Sequence, residues 1–318
     1  MATTVSAVTA APEGATPAHK PWRTGLGRER ILQVSFLVPA ALYIAVFFGY
    51  PIVQNLLMGF QKYTTATFYT GEAPWVGLDN YMNVFSSPTF GRTLLNTAVF
   101  TVCSIAGQFI VGLLIALFFH RSFALGGILR SLLLLPWLVP VIVSGAVWKW
   151  MLDQDSGVVN QFLSAVAFTN VNPGWLTDTT LALASVIVVN IWLGIPFNVT
   201  LLYSGLKEVP QELYEAAALD GATGFKAFWH ITRPMLKPVI TVALVLGVVY
   251  TLKVVDIILG LTGGGPANST QTLSTESYAL SFQQFDFGQG AAVGNVLILI
   301  SLIFAIFYLR ANRRALDD

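Results

Sequence analysis

Charge is what this sequence has least of. Only 10% of its 318 residues are Asp, Glu, Lys or Arg, against roughly 25% in ordinary soluble proteins, and that scarcity excludes a soluble globular domain. Cysteine is nearly absent: Cys103 stands alone, so no disulfide can close within the chain and nothing about redox compartment follows. The three histidines, His19, His120 and His230, are scattered without metal-ligand spacing, and no metal site is expected. Nucleophile motifs are lacking, and so is a Walker A loop; the glycine–lysine stretch from Gly221 to Lys226 does not end in Lys-Ser or Lys-Thr. The chain is therefore expected to carry no catalytic residue, to hold no cofactor and to be unable to hydrolyse ATP by itself. The balance of 17 basic against 16 acidic residues is silent on nucleic acid, and none is expected as a partner.

What is abundant is apolar surface: 55% of the residues are hydrophobic and the mean hydropathy is +0.68. A span needs about 20 mostly apolar residues to cross roughly 30 Å of hydrocarbon. Charge-poor stretches of that kind recur six times, over Ile31–Phe60, Leu94–Phe119, Ile128–Trp150, Leu181–Tyr203, Pro238–Leu261 and Gln289–Leu309. Unpaired backbone groups cannot persist in lipid, so runs of this length must be helical. The fold class is an all-α polytopic bundle of six transmembrane helices, with bends expected at Pro39 and Pro51 in span 1 and at Pro136 and Pro140 in span 3.

The few charges are asymmetrically placed. Thirteen of the 17 basic residues lie before span 1, after span 2, after span 4 or after span 6, Arg130, Lys207, Lys226, Arg233 and Arg310 among them; the opposite loops hold Lys62, Arg92 and Lys149, and Lys253 falls inside span 5. The positive-inside rule then puts both termini in the cytoplasm, as an even number of spans requires. Residues 1–30 read as a disordered cytoplasmic leader rich in Ala, Thr and Pro, residues 31–310 as the six-span domain and 311–318 as a cytoplasmic tail. The first apolar run is too long for a secretory signal and ends in no small-residue cleavage site, so span 1 is expected to be a retained anchor.

The cytoplasmic loop over residues 207–238 has the most specific pattern. Pro210 suits the first turn of a helix, Glu212 and Glu215 favour the positive end of its dipole, and Ala216, Ala217 and Ala218 are strong helix formers with little bulk. Gly221 is a natural stop. The pattern predicts a helix of about 11 residues with a smooth alanine face, suited to insertion into a cleft on another protein, and a second short helix from near Gly224 to just before Pro234.

Glu215-Ala216-Ala217, then Asp220-Gly221-Ala222, then Ile231-x-x-Pro234 is similar to the EAA loop of ABC importer permeases, with Arg233 where that loop usually has Leu. Three further stretches resemble the carbohydrate-uptake branch, of the maltose and glycerol-phosphate permease kind: Val76 to Tyr81 in the first external loop, Asn190 to Pro196 in span 4, and Leu252 to Ile258 leading into Leu261-Thr262-Gly263-Gly264-Gly265-Pro266. The resemblance covers roughly residues 31–315. It implies that Glu215, Ala216, Ala217, Asp220 and Gly221 dock on an ATPase subunit, and that ATP and magnesium are bound there and not here. It also implies a second homologous permease, an ABC ATPase dimer, an extracytoplasmic solute-binding protein and a carbohydrate as partners, all at a bacterial cytoplasmic membrane.

For the substrate path, Asn190 and Gly194 are four apart on span 4 and share a helix face, with Leu193 between them and Phe197 nearby. An amide in lipid needs a partner, and an aromatic ring offers a stacking surface for a sugar; equally, Asn and Gly serve helix packing in membranes. The resemblance places Asn190, Gly194 and Phe197 along the sugar path and Thr251 of span 5 facing the same cavity. Lys253 and Asp256, three apart, are expected to pair on one helix face as a structural ion pair or an outer-gate contact. Trp148 and Trp150 read as interfacial belt residues. A permease for a non-sugar solute would share the loop; an ion-coupled transporter would lack it and would need intramembrane carboxylates, for which Asp256 is the one deep candidate.

Overall fold

The computed structural model describes residues 26–121, 123–167, 169 and 172–313, all helices and loops; among them no strand forms beyond two isolated bridges, Gln61 with Trp75 and Thr64 with Asp286. The chain divides into two compact units, residues 1–53 and 54–318. In the first, a helix runs over Leu26–Ile44 and passes through a wide turn at Ala45–Gly49. The leader expected to be unstructured through residue 30 is thus helical from Leu26; its remainder lies outside the described residues, as does the end of the expected tail. The apolar side chains of this unit, Phe36, Leu42 and Phe47 among them, are exposed, as suits contact with lipid or another chain.

The second unit is a bundle whose main members are α1 (Phe90–His120), α2 (Gly126–Leu138), α3 (Val141–Met151), α4 (Ala182–Lys207), α5 (Phe225–Leu252) and α6 (Phe287–Tyr308). With Ser35–Met58 there are, among the described residues, five helices long and apolar enough to span a bilayer, and up to six spans when α2 and α3 are taken as one broken crossing. The break has a local cause. Val139 is extended at φ −82°, ψ 131°, as the residue before a proline prefers, Pro140 caps α3, and the two halves meet at 96°.

Helix α4 is the axis of the unit, with 44% of its apolar window buried against 28% for α1, α5 and α6. Its upper half packs Val186 and Val189 on Phe100, Ile257, Ile258 and Leu261; its lower half packs Val199, Leu202 and Leu206 on Ala116, Phe119 and Leu236. Small residues let α1 and α4 cross closely. A Cβ at Gly112 would lie 2.7 Å from the Cβ of Asn198, an approach only glycine permits. The buried face of α1 is lined by hydroxyls and amides, Thr93, Thr97, Thr101, Ser104 and Gln108. Pro196 sits inside α4 without breaking it.

Two expected boundaries move. Span 5 begins at Phe225 and not Pro238: the short helix expected to end before Pro234 instead continues through a wide turn at Phe228–Thr232 into the span. The wide turn already displaces the backbone ladder where the proline N–H is missing. At its C-terminal end α5 stops at Leu252, and a new helix, Asp256–Leu261, follows. Val254 and Val255 are β-branched and weak helix formers, and the freed Val254 carbonyl accepts from the Ser274 hydroxyl at 2.6 Å.

The stretch Val76–Tyr81 has a structural task. Asn80 donates to the carbonyls of Gly59 and Gln61 at 3.0 and 2.9 Å, while the Tyr81 hydroxyl meets Asn295 of α6 at 2.8 Å. Trp148 is not a free belt residue, since its ring packs edge-on against Trp192 with centroids 5.6 Å apart; Trp150 is exposed.

Candidate functional site

The loop helix forms at Gln211–Leu219, shorter than expected because Pro210 is its cap (ψ 133°) and not its first turn. Its end is a Schellman motif: Ala222 N–H donates to Ala217 O at 2.8 Å and Gly221 N–H to Ala218 O at 3.1 Å. Gly221 has φ +74°, a conformation in which a side chain is strained. No residue of this helix is buried, and Leu219 is 91% exposed. Glu215, Ala216 and Asp220 are exposed and Ala217 is half-buried. A tether holds the helix to α5, the hydroxyls of Tyr214 and Thr232 lying 2.9 Å apart.

The second candidate is a cavity of 630 Å³ walled by α1, α2, α4 and α5. Every residue expected along the path lines it: Asn190, Leu193, Gly194, Phe197 and Thr251, together with Lys253 and Asp256. Among the lining residues that were not anticipated, one is an amide, Gln108, and two are aromatic, Trp137 and Tyr250. The aromatic rings adjoin one another, with centroids 5.9 Å apart for Trp137–Phe197 and 6.1 Å for Phe197–Tyr250. Two amides join the lining. Gln108 Nε2 donates to the Asn190 backbone carbonyl at 3.0 Å, while the buried Asn190 Nδ2 has no partner among the described residues. Nothing in the spacing around Gln108 or Trp137 marks them; a buried amide in line with Thr97, Thr101 and Ser104 was the one available signal.

One expectation changes here. Gly194 keeps both of its readings, since it lines the cavity and a Cβ there would lie 2.2 Å from the Gln108 side chain of α1. Lys253 and Asp256 do not pair, and among the described residues no ion pair joins them. With α5 ended at Leu252 they lose the shared helix face; Lys253 Nζ lies over the Tyr250 ring at 4.9 Å, and Asp256 opens the next helix, where the dipole favours a carboxylate.

Apolar helices long enough to cross a bilayer, a cavity between those packed on α4 and an exposed knob beside them are the features of a multi-pass transport permease. The chain belongs to the family of binding-protein-dependent transport system inner membrane components, whose model matches residues 108–317. It is 35% identical over 289 residues to the trehalose/maltose transport system permease protein MalF of Thermococcus litoralis, covering 90% of this chain and 95% of that protein. To the sulfoquinovosyl glycerol transport system permease protein SmoG of Agrobacterium fabrum it is 32% identical over 285 residues, covering 90% and 91%. Its fold is that of a permease chain in a bacterial alginate ABC transporter crystallised with an alginate pentasaccharide-bound periplasmic protein, with a TM-score of 0.77 at 23% identity over 90% of this chain and 96% of that one.

Proposed function

We propose that this chain forms half of the pathway by which an ABC importer takes up a carbohydrate, with ATP hydrolysed on a separate subunit. The observation that carries the reading is the cavity, which three adjoining aromatic rings line together with the Gln108 and Asn190 side chains. Rings present apolar faces to the C–H faces of a sugar, and amides meet its hydroxyls. The sugar-transport names of the relatives agree with that chemistry. A second permease would close the open side of the cavity, and a solute-binding protein would deliver ligand at its outer end, beside Lys253 and Asp256. The Gln211–Leu219 helix would seat in a cleft of the ATPase, with Glu215 facing a cation there.

Uptake of labelled disaccharides, oligosaccharides, amino acids and phosphate, in cells lacking this chain and complemented with it, tests the reading. Complementation restores uptake of a sugar, and Trp137→Ala with Phe197→Ala lowers it about tenfold or more, equivalent to about 1.4 kcal/mol, with the importer still assembled. Restored uptake of an amino acid or phosphate instead would overturn the sugar assignment. Both termini are assigned to the cytoplasm on the charge asymmetry. In a Cys103→Ser background, an impermeant thiol reagent on intact cells is expected to label Ser156→Cys and spare Thr223→Cys, both exposed; the reverse result would invert the topology.

A further inference from the structure

Below the cavity, the same two elements enclose a second space. A groove of 320 Å³ runs between α2 and α4, with Arg130, Ser131, Thr200, Tyr203 and Ser204 as its polar lining. Along α4, Leu193, Phe197, Thr200, Ser204 and Lys207 recur at spacings of three and four and so lie on one face. That face begins in the upper cavity and ends, about 25 Å below Asn190, at the last residue of the helix. On the facing wall, α2 gives Trp137 to the cavity and Arg130 to the groove. The groove therefore continues the cavity along the same walls.

Its chemistry is unlike a lipid-facing surface. Arg130 donates through Nε to Gly126 O at 2.9 Å and through Nη1 to the Tyr203 hydroxyl. Its guanidinium lies over the Tyr203 ring at 4.6 Å, and Lys207 Nζ stands over the same ring at 5.2 Å. Ser131 and Thr200 return their hydroxyl protons to their own helices, to Gly127 O at 3.2 Å and Pro196 O at 2.8 Å, which leaves oxygen lone pairs facing outward. At the ends of their helices, two cations gathered on one ring beside free hydroxyl lone pairs suit a water-filled space better than a lipid-facing one.

From this we infer that the Arg130–Tyr203 groove is a transit site for the polyhydroxylated ligand, lying between the upper cavity and the Lys207 end of the pathway. The inference rests on the cavity being the sugar path. Arg130 and Lys207 would supply donors to the sugar oxygens, acidic substituents included, and the hydroxyls would accept from its O–H groups.

The test uses single cysteines in a Cys103→Ser background, in the assembled importer in lipid nanodiscs, so that both faces are open to reagent. Leu193→Cys reports on the cavity, Ser204→Cys on the groove, and Leu132→Cys, on the exposed side of α2 away from both, on lipid. Thiolate forms only where water reaches, so Ser204→Cys and Leu193→Cys are expected to react with charged methanethiosulfonates about tenfold or more faster than Leu132→Cys. Fast reaction at Leu193→Cys with slow reaction at Ser204→Cys overturns the groove alone. Slow reaction at both overturns the pathway reading with it. The cations are read separately: at Ser204→Cys the anionic sulfonatoethyl reagent should outrun the cationic trimethylammonium reagent by about tenfold, after correction for free-thiol reactivity. Arg130→Gln with Lys207→Gln should bring that ratio close to one, and Arg130→Lys should keep it. A ratio unchanged by the double substitution removes the recognition role.

Discussion

The exposed knob at Gln211–Leu219 and the cavity beside α4 are built in opposite ways. The knob is one contiguous segment whose cap, alanines and left-handed stop all lie within 12 residues, Pro210 to Gly221. None of its residues is buried, so its form depends mainly on local propensity and two backbone hydrogen bonds at its end, with the Tyr214–Thr232 contact as its tether to α5. The cavity draws on four helices and the α5 break, from Gln108 to Ile257, and no two neighbouring residues specify it. On the proposed reading the knob is a docking element, which must keep its shape before a partner arrives, and the cavity a passage, which must change shape as its walls move. Local coding suits the first and tertiary coding the second.

The sharpest way to break the contrast is at the knob. Glu215→Ala is expected to stop transport while the chain still inserts, because removing one partner of a buried interface pair costs about 2–5 kcal/mol. Gly221→Val should do the same by a separate route, a β-branched residue at φ +74° being strained by about 1–2 kcal/mol. Lys226→Ala, on an exposed side of the turn, should do little. Co-purification of the ATPase with both variants at wild-type yield, with normal ligand-stimulated hydrolysis, would show that the knob is not the coupling element.

Next in size is the α1–α4 crossing. Gly112→Ala puts a methyl against the stiff base of Asn198, and overpacking of this kind costs about 1–3 kcal/mol. Gly194→Ala meets only the mobile end of Gln108, so it should cost less, displacing that amide from the Asn190 carbonyl. Adding Gln108→Ala should relieve Gly194→Ala and leave Gly112→Ala unrelieved. Thermal unfolding of the detergent-solubilised chain separates these outcomes, and equal losses at both glycines would mean the crossing is looser than described.

Smaller again is Lys253→Met. It removes a cation–π contact worth about 0.5–1 kcal/mol at an exposed site, so uptake should fall a few-fold. Asp256→Asn should not reproduce the loss if the two residues act apart; equal losses, with no further loss in the double variant, would restore the ion pair.

The smallest expected effect concerns Glu276, a buried carboxylate in the segment Leu273–Tyr278 between α5 and α6. Burial pushes its carboxyl above the usual range, with the Thr93 hydroxyl opposing. The folded state therefore holds the proton more tightly than the unfolded chain. The stability this contributes is present below the unfolded value, about 4.3, and is lost as pH rises through the folded value. Glu276→Gln should raise the melting temperature near neutral pH by about 1–3 °C, and the gain should vanish on acidification. A lower melting temperature at pH 7 would mean that the ionised carboxylate is satisfied in the folded protein.

The sequence by itself determined that the chain is a set of long apolar helices and that a short exposed helix follows Pro210. Apolar transfer and backbone satisfaction act on contiguous runs, and a Pro, three alanines and a Gly shape a helix without help from elsewhere. It also put Asn190, Leu193, Gly194 and Phe197 on one stretch of α4, since helical spacing is a local matter. Only the tertiary structure decided that Gln108, Trp137 and Tyr250 meet them, that Gly194 packs on Gln108, and that α5 ends at Leu252, parting Lys253 from Asp256. Those facts depend on which faces of distant helices come together, and on a Ser274 hydroxyl catching a carbonyl 20 residues earlier in the chain. A contact between separated segments leaves no period or spacing in either one.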